Sequence, residues 1–60
     1  MTVTRRVEEM IATLENGLND AAKHDRGNAA AGRRLRKALQ TIKVQAQECR
    51  VQVQQDKNNR

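Results

Sequence analysis

Proline is absent from this chain, and so are phenylalanine, tyrosine and tryptophan. Without proline, nothing in the covalent backbone interrupts a helix. Without aromatic rings there is no large side chain to anchor a core, and none to stack on an unpaired base. A single cysteine, Cys49, has no partner for a disulfide within the chain, and a single histidine, His24, leaves no metal-ligand cluster. The usual staples of very small proteins are therefore missing. The lone thiol fits a reducing compartment. No apolar run approaches the length of a bilayer span, and the amino terminus lacks a signal-peptide pattern. These absences give the expectation of a cytoplasmic protein with no membrane partner. No phosphate-binding glycine loop, metal motif or nucleophile-base pair can be assembled either, so neither catalysis nor a cofactor is expected. His24 beside Asp25 has no pocket around it and reads as a solvated side chain.

What is present is a helical pattern with a thin hydrophobic content. Leu, Ile and Val together fill 11 of 60 positions, against a net charge of +5. Such a ratio borders on that of disordered chains. The spacing argues otherwise. Apolar residues fall at Val3, Val7, Met10, Ile11, Leu14, Leu18, Ala21 and Ala22, then at Ala31, Leu35, Ala38, Leu39, Ile42, Ala46, Cys49 and Val53. Steps of three and four dominate both sets, which is the period of an amphipathic helix. Between them, Asp25-Arg26-Gly27-Asn28 concentrates turn-forming residues: Gly27 suits the left-handed residue that ends a helix, and Asn28 suits the cap of the next. Thr2 or Thr4 can cap the first helix.

The expected fold is all-α, an antiparallel two-helix hairpin of coiled-coil type, with each apolar stripe facing the other. Its parts are a helix over residues 3–25, a turn at 26–28, a helix over 29–56 and a frayed tail at 57–60. Gly17 and Gly32 read as points of close helix approach, Met10 as core filler and Cys49 as a small seam residue. So thin a core calls for completion by self-association. Val44 and Val51, seven residues apart on the side of the second helix opposite the seam, are the candidate residues for a homodimer or higher oligomer.

Charge is divided unevenly. Residues 1–27 carry four basic and five acidic side chains; residues 28–60 carry eight basic and two acidic. The densest basic run surrounds the turn, with Lys23, Arg26, Arg33, Arg34, Arg36 and Lys37, and the second helix begins there at Asn28 with free amides. Backbone amides beside arginines make a phosphate seat. Arg33, Arg34 and Lys37 point away from the seam and have no obvious acidic partner. Arg36, Lys43, Arg50 and Lys57 also recur every seven residues, with Gln40, Gln47 and Gln54 between them. This strip can be a ladder along a nucleic-acid backbone, or Lys43 and Arg50 can bridge to Glu8 and Glu15 across the hairpin; the pattern supports both.

The stretch Arg26-Gly27-Asn28-Ala29-Ala30-Ala31-Gly32-Arg33-Arg34-Leu35-Arg36-Lys37-Ala38-Leu39-Gln40, followed by Ile42-Lys43 and Ala46-Gln47-Glu48-Cys49-Arg50, resembles the bacterial linker-histone-like nucleoproteins of the chlamydial developmental type. The resemblance covers residues 26–50 clearly and the first helix loosely. It implies a nucleoid-associated protein that compacts chromosomal DNA, in a short form without the Lys/Ala-rich tail, so that the hairpin itself is the DNA-binding unit. The expected partner is duplex DNA, bound through phosphates without sequence readout and with RNA offering the same contacts. The expected DNA-binding residues are Lys23, Arg26, Asn28, Arg33, Arg34, Arg36, Lys37, Lys43 and Arg50. The alternative is a basic coiled-coil module that pairs with an acidic partner helix.

Overall fold

The computed structural model describes residues 1–60 as two antiparallel helices, α1 (Val3–Asp25) and α2 (Ala29–Asn58), in a rod of 49 × 15 × 13 Å. Each helix starts where a side chain replaces a missing backbone partner. Thr2, in extended backbone, accepts the Arg5 amide at 3.1 Å; Asn28, also extended, accepts the Ala31 amide at 3.0 Å. Such caps satisfy amides that no preceding turn can serve.

The turn is a Schellman ending. Gly27 takes φ 97°, the Gly27 amide donates to the His24 carbonyl at 2.9 Å, and the Asn28 amide donates to the Lys23 carbonyl at 3.0 Å. A Cβ at position 27 would meet nothing within 4 Å, so glycine is required there by backbone conformation alone. Three residues thus reverse the chain and bring the arms side by side.

Two interhelical ion pairs fix the register: Arg6 with Glu48 at 3.3 Å, and Arg34 with Asp20 at 3.0 Å. Along the seam, Val3, Met10, Gly17 and Ala21 of α1 meet Ala31, Leu35, Ala38, Ile42, Ala46 and Cys49 of α2. Only Gly17, Ala31 and Cys49 are buried. Gly17 lies against Leu35, where an added Cβ would come within 3.4 Å of its Cδ1, and the His24 ring covers Gly32. Both glycines are sites of close approach. The seam also takes in polar groups: Arg6, Thr13, Gln45 and Gln52 are half-buried, and Arg6 Nε and Gln45 Oε1 are buried without a hydrogen-bond partner.

Two expectations need correction. The apolar stripes do not simply face each other. Val7, Ile11, Leu14, Leu18, Leu39 and Val53, all assigned to the inter-helix stripe, are 40–70% exposed along one broad side of the hairpin. The reason is geometric. At about 100° per residue, the apolar positions of α1 run from Met10 and Ala21 round to Ile11 and Ala22, an arc of roughly 100°. A single neighbouring cylinder covers less than that, and close approach at Gly17 and Ala31 selects the small-residue edge of the arc. The second correction is at the carboxyl end, where helix continues through Asn58 instead of fraying from residue 57. Gln52 donates to Asp56 at 2.9 Å, Gln54 donates to Asn58 at 3.3 Å, and the Asn59 amide donates to the Gln55 carbonyl at 3.1 Å. Side-chain pairs at this spacing support the last turns.

Candidate nucleic-acid interface

Two turns into α2, the helix turns its outer side to solvent. Arg33, Arg36, Lys37, Gln40 and Lys43 there line one shallow, open depression with Leu39 at its edge. All five polar residues are exposed, and none of the four cations among them has a carboxylate within ion-pairing distance. Their clustering follows from helix period: Arg33 and Lys37, Arg36 and Gln40, and Arg36 and Lys43 are separated by one or two turns. Four exposed cations with no internal counter-charge produce a positive field open to solvent.

More cations stand at the turn: Lys23 lies in the last turn of α1 and Arg26 caps that helix, and both side chains are exposed and unpaired. Asn28 is occupied as a cap, its side-chain oxygen holding the Ala31 amide, so that amide is turned inward and is not free for a phosphate. Arg50 lies farther along α2, exposed and close to Val53. Val44 and Val51 are 49% and 45% exposed on the outer side of α2, away from α1.

Arg34 departs from the sequence reading, which gave it no acidic partner. Its Nη2 and Nε both approach Asp20 Oδ1, at 3.0 and 3.1 Å. Asp20 is a polar residue beside an apolar seam, which no apolar spacing rule picks out. The signal available was its position one turn before Lys23, level with the start of α2 once the turn closes. The half-buried Arg6 and its partner Glu48 were missed for the same reason. The bridges from Glu8 and Glu15 to Arg36, Lys43 or Arg50, one of the two readings of the strip, do not form within the chain. Glu8 and Glu15 border the exposed apolar side on its α1 edge, while the basic strip borders it on the α2 edge.

The surface has no aromatic side chain to stack on a base, and the chain has no helix beyond α1 and α2. No group of His, Cys, Asp and Glu side chains could hold a metal ion, and no helix is long and apolar enough to cross a membrane.

Compared with known proteins, the chain has no match among curated proteins and none among solved structures. Against protein families it does match: the family described as histone H1-like protein Hc1 aligns with residues 4–59, both helices and the turn included. That extent places the whole hairpin, and not only its basic stretch, within the family's domain. Membership carries a general DNA-binding, nucleoid-associated role and not an enzymatic one. The chain belongs to the histone H1-like Hc1 family of nucleoproteins.

Proposed function

We propose that the hairpin binds duplex DNA without sequence preference, through phosphate contacts centred on the turn end of α2, and that as an oligomer it coats, bridges or compacts DNA in the bacterial nucleoid of the cytoplasm. Within the family, residues 26–50 resemble the chlamydial developmental type. The observation that carries the mechanism is the set of unpaired cations Arg33, Arg36, Lys37 and Lys43 on one exposed surface, continued by Lys23 and Arg26 round the turn. Cations with no internal partner release no ion pair when a phosphate arrives, so the full gain of counterion release goes to binding. Arg34 contributes less, because a phosphate must compete with Asp20 for its guanidinium; Asn28 supports the turn, and Arg50 extends the path.

Assembly belongs to the same reading. Val44 and Val51 form a narrow apolar patch suited to contacts between assembled units, and the broader exposed face of the hairpin is a second apolar surface. A basic helix that pairs with an acidic partner helix is favoured by one observation, the position of Leu39 directly beside Arg36 and Lys43.

Titration of two unrelated duplex DNAs, a duplex RNA and heparin at two salt concentrations tests the function. Equal affinity for both DNAs, falling steeply with salt, is expected, with heparin competing. Absence of duplex binding at low salt, by a folded protein, would overturn it.

A further inference from the structure

One broad side of the rod is apolar along much of its length. Leu18 is 70% exposed, Leu14 52%, Leu39 50% and Ile11 49%, with Val7 and Val53 continuing the face toward the open end of the hairpin. Ile11, Leu14 and Leu18 line a groove with Leu35, Leu39 and Ile42, and Glu15 stands at its border. These side chains amount to on the order of 500 Å² of exposed apolar surface, at the upper end of what monomers carry as a single patch.

The borders of this face carry opposite charge. The α1 edge presents Glu8 and Glu15; the α2 edge presents Arg36, Lys43 and Arg50. None of the five has an ion-pair partner in the chain. They cannot meet within one hairpin, because the two helices lie between them. The Arg6–Glu48 and Asp20–Arg34 pairs set the heights along the rod. Glu15 is level with Leu39, between Arg36 and Lys43; Glu8 is level with Ala46, between Lys43 and Arg50.

We infer that the occupant of this face is a second copy of the chain, related by a two-fold axis parallel to the rod, so that α1 of each copy packs on α2 of the other in a four-helix antiparallel bundle. A rotation about that axis preserves height and exchanges left for right. It sets Glu15 of one copy between Arg36 and Lys43 of the other, and Glu8 between Lys43 and Arg50. A two-fold axis across the rod sets α1 on α1 instead, acid against acid and base against base, which like-charge repulsion disfavours. The apolar centre with its charged borders approaches the ~800 Å² per partner of a standard stable interface. Each stripe, too wide for one neighbour, then has two neighbours. The acidic partner helix that the basic strip calls for is α1 of the second copy.

The arrangement rests on the DNA-binding reading only for its consequence. Both turns lie at one end of the bundle, so the exposed Lys23, Arg26, Arg33 and Lys37 of two copies form a single basic head; Arg36, Lys43 and Arg50 then pair across the interface, which narrows the phosphate-binding members of the α2 cluster in the assembled protein to Arg33 and Lys37.

A charge exchange tests it in the absence of DNA. Sedimentation equilibrium is run on Glu8→Lys/Glu15→Lys, on Arg36→Glu/Lys43→Glu/Arg50→Glu, and on their equimolar mixture, with helicity followed by circular dichroism. Self-association of each variant alone is expected to weaken at least tenfold. The mixture is expected to recover a heterodimer, because every charged contact is then complementary. Leu14→Lys/Leu18→Lys is expected to be monomeric, or unfolded at the same concentration, whereas Val44→Lys/Val51→Lys keeps the dimer. The inference is overturned if the mixture recovers nothing, if each charge variant alone assembles as the parent does, or if only the Val44/Val51 change dissociates the protein. A dimer that forms as stated yet ignores duplex DNA would refute the proposed function and leave this interface standing.

Discussion

Replacing Arg26, Arg33 and Lys37 together by alanine removes three cations that make no internal ion pair and lie away from the exposed apolar face. The consequence for DNA binding can be worked out contact by contact. Each phosphate contact contributes about 0.9 to the slope of log affinity against log salt, so loss of three lowers the slope by roughly 2.7. Between 50 and 200 mM salt, a fourfold change, the affinity of the variant should fall about 40-fold less than that of the parent. Helicity should be retained, because alanine is the stronger helix former at positions 33 and 37, and Arg26 caps α1 through its backbone amide, which the substitution leaves in place. The assay is fluorescence anisotropy with two unrelated duplexes at four salt concentrations. Both duplexes should lose the same affinity, since phosphate contacts carry no sequence information. An unchanged slope in a helical, assembled variant would refute the reasoning, because the cations would then not be meeting phosphates. A loss confined to one duplex would refute it differently, by showing base readout.

Arg34→Ala serves as the comparison. It should cost up to ~1 kcal/mol in thermal or urea unfolding, as expected for a largely exposed ion pair, and Asp20→Ala should match it in a double-mutant cycle, while the salt slope changes by well under one contact's worth. Gly27→Ala should destabilise the hairpin by about 1 kcal/mol, read as a lowered melting temperature, because the left-handed backbone there is costly for any residue with a Cβ. Cys49→Ala should lose about 1–2 kcal/mol of stability with DNA binding intact; loss of binding with the fold preserved would give the thiol a role that its buried seam position does not suggest.

The sequence by itself determined the secondary structure and the direction of the chain. The steps of three and four in the apolar positions, the absence of proline and the Gly27-Asn28 pair dictate two helices and a tight reversal, because caps and left-handed glycine act over three or four residues of neighbouring backbone. The turn-end cations were legible for a similar reason: a run such as Arg33 to Lys37 stays exposed in any packing of an amphipathic helix. Tertiary structure decided how each helix is rotated about its own axis. Rotation depends on how closely two cylinders approach, and the small residues at Gly17, Ala31 and Ala38 drew the contact to one edge of each stripe, leaving Leu14, Leu18 and Leu39 outside. That same rotation paired Arg34 with Asp20 and Arg6 with Glu48, and it sent Glu8 and Glu15 to the edge opposite Lys43 and Arg50. A stripe wider than one neighbour can cover has no unique facing direction until its partner's shape is fixed, so no spacing rule along a single helix could have chosen among these pairings.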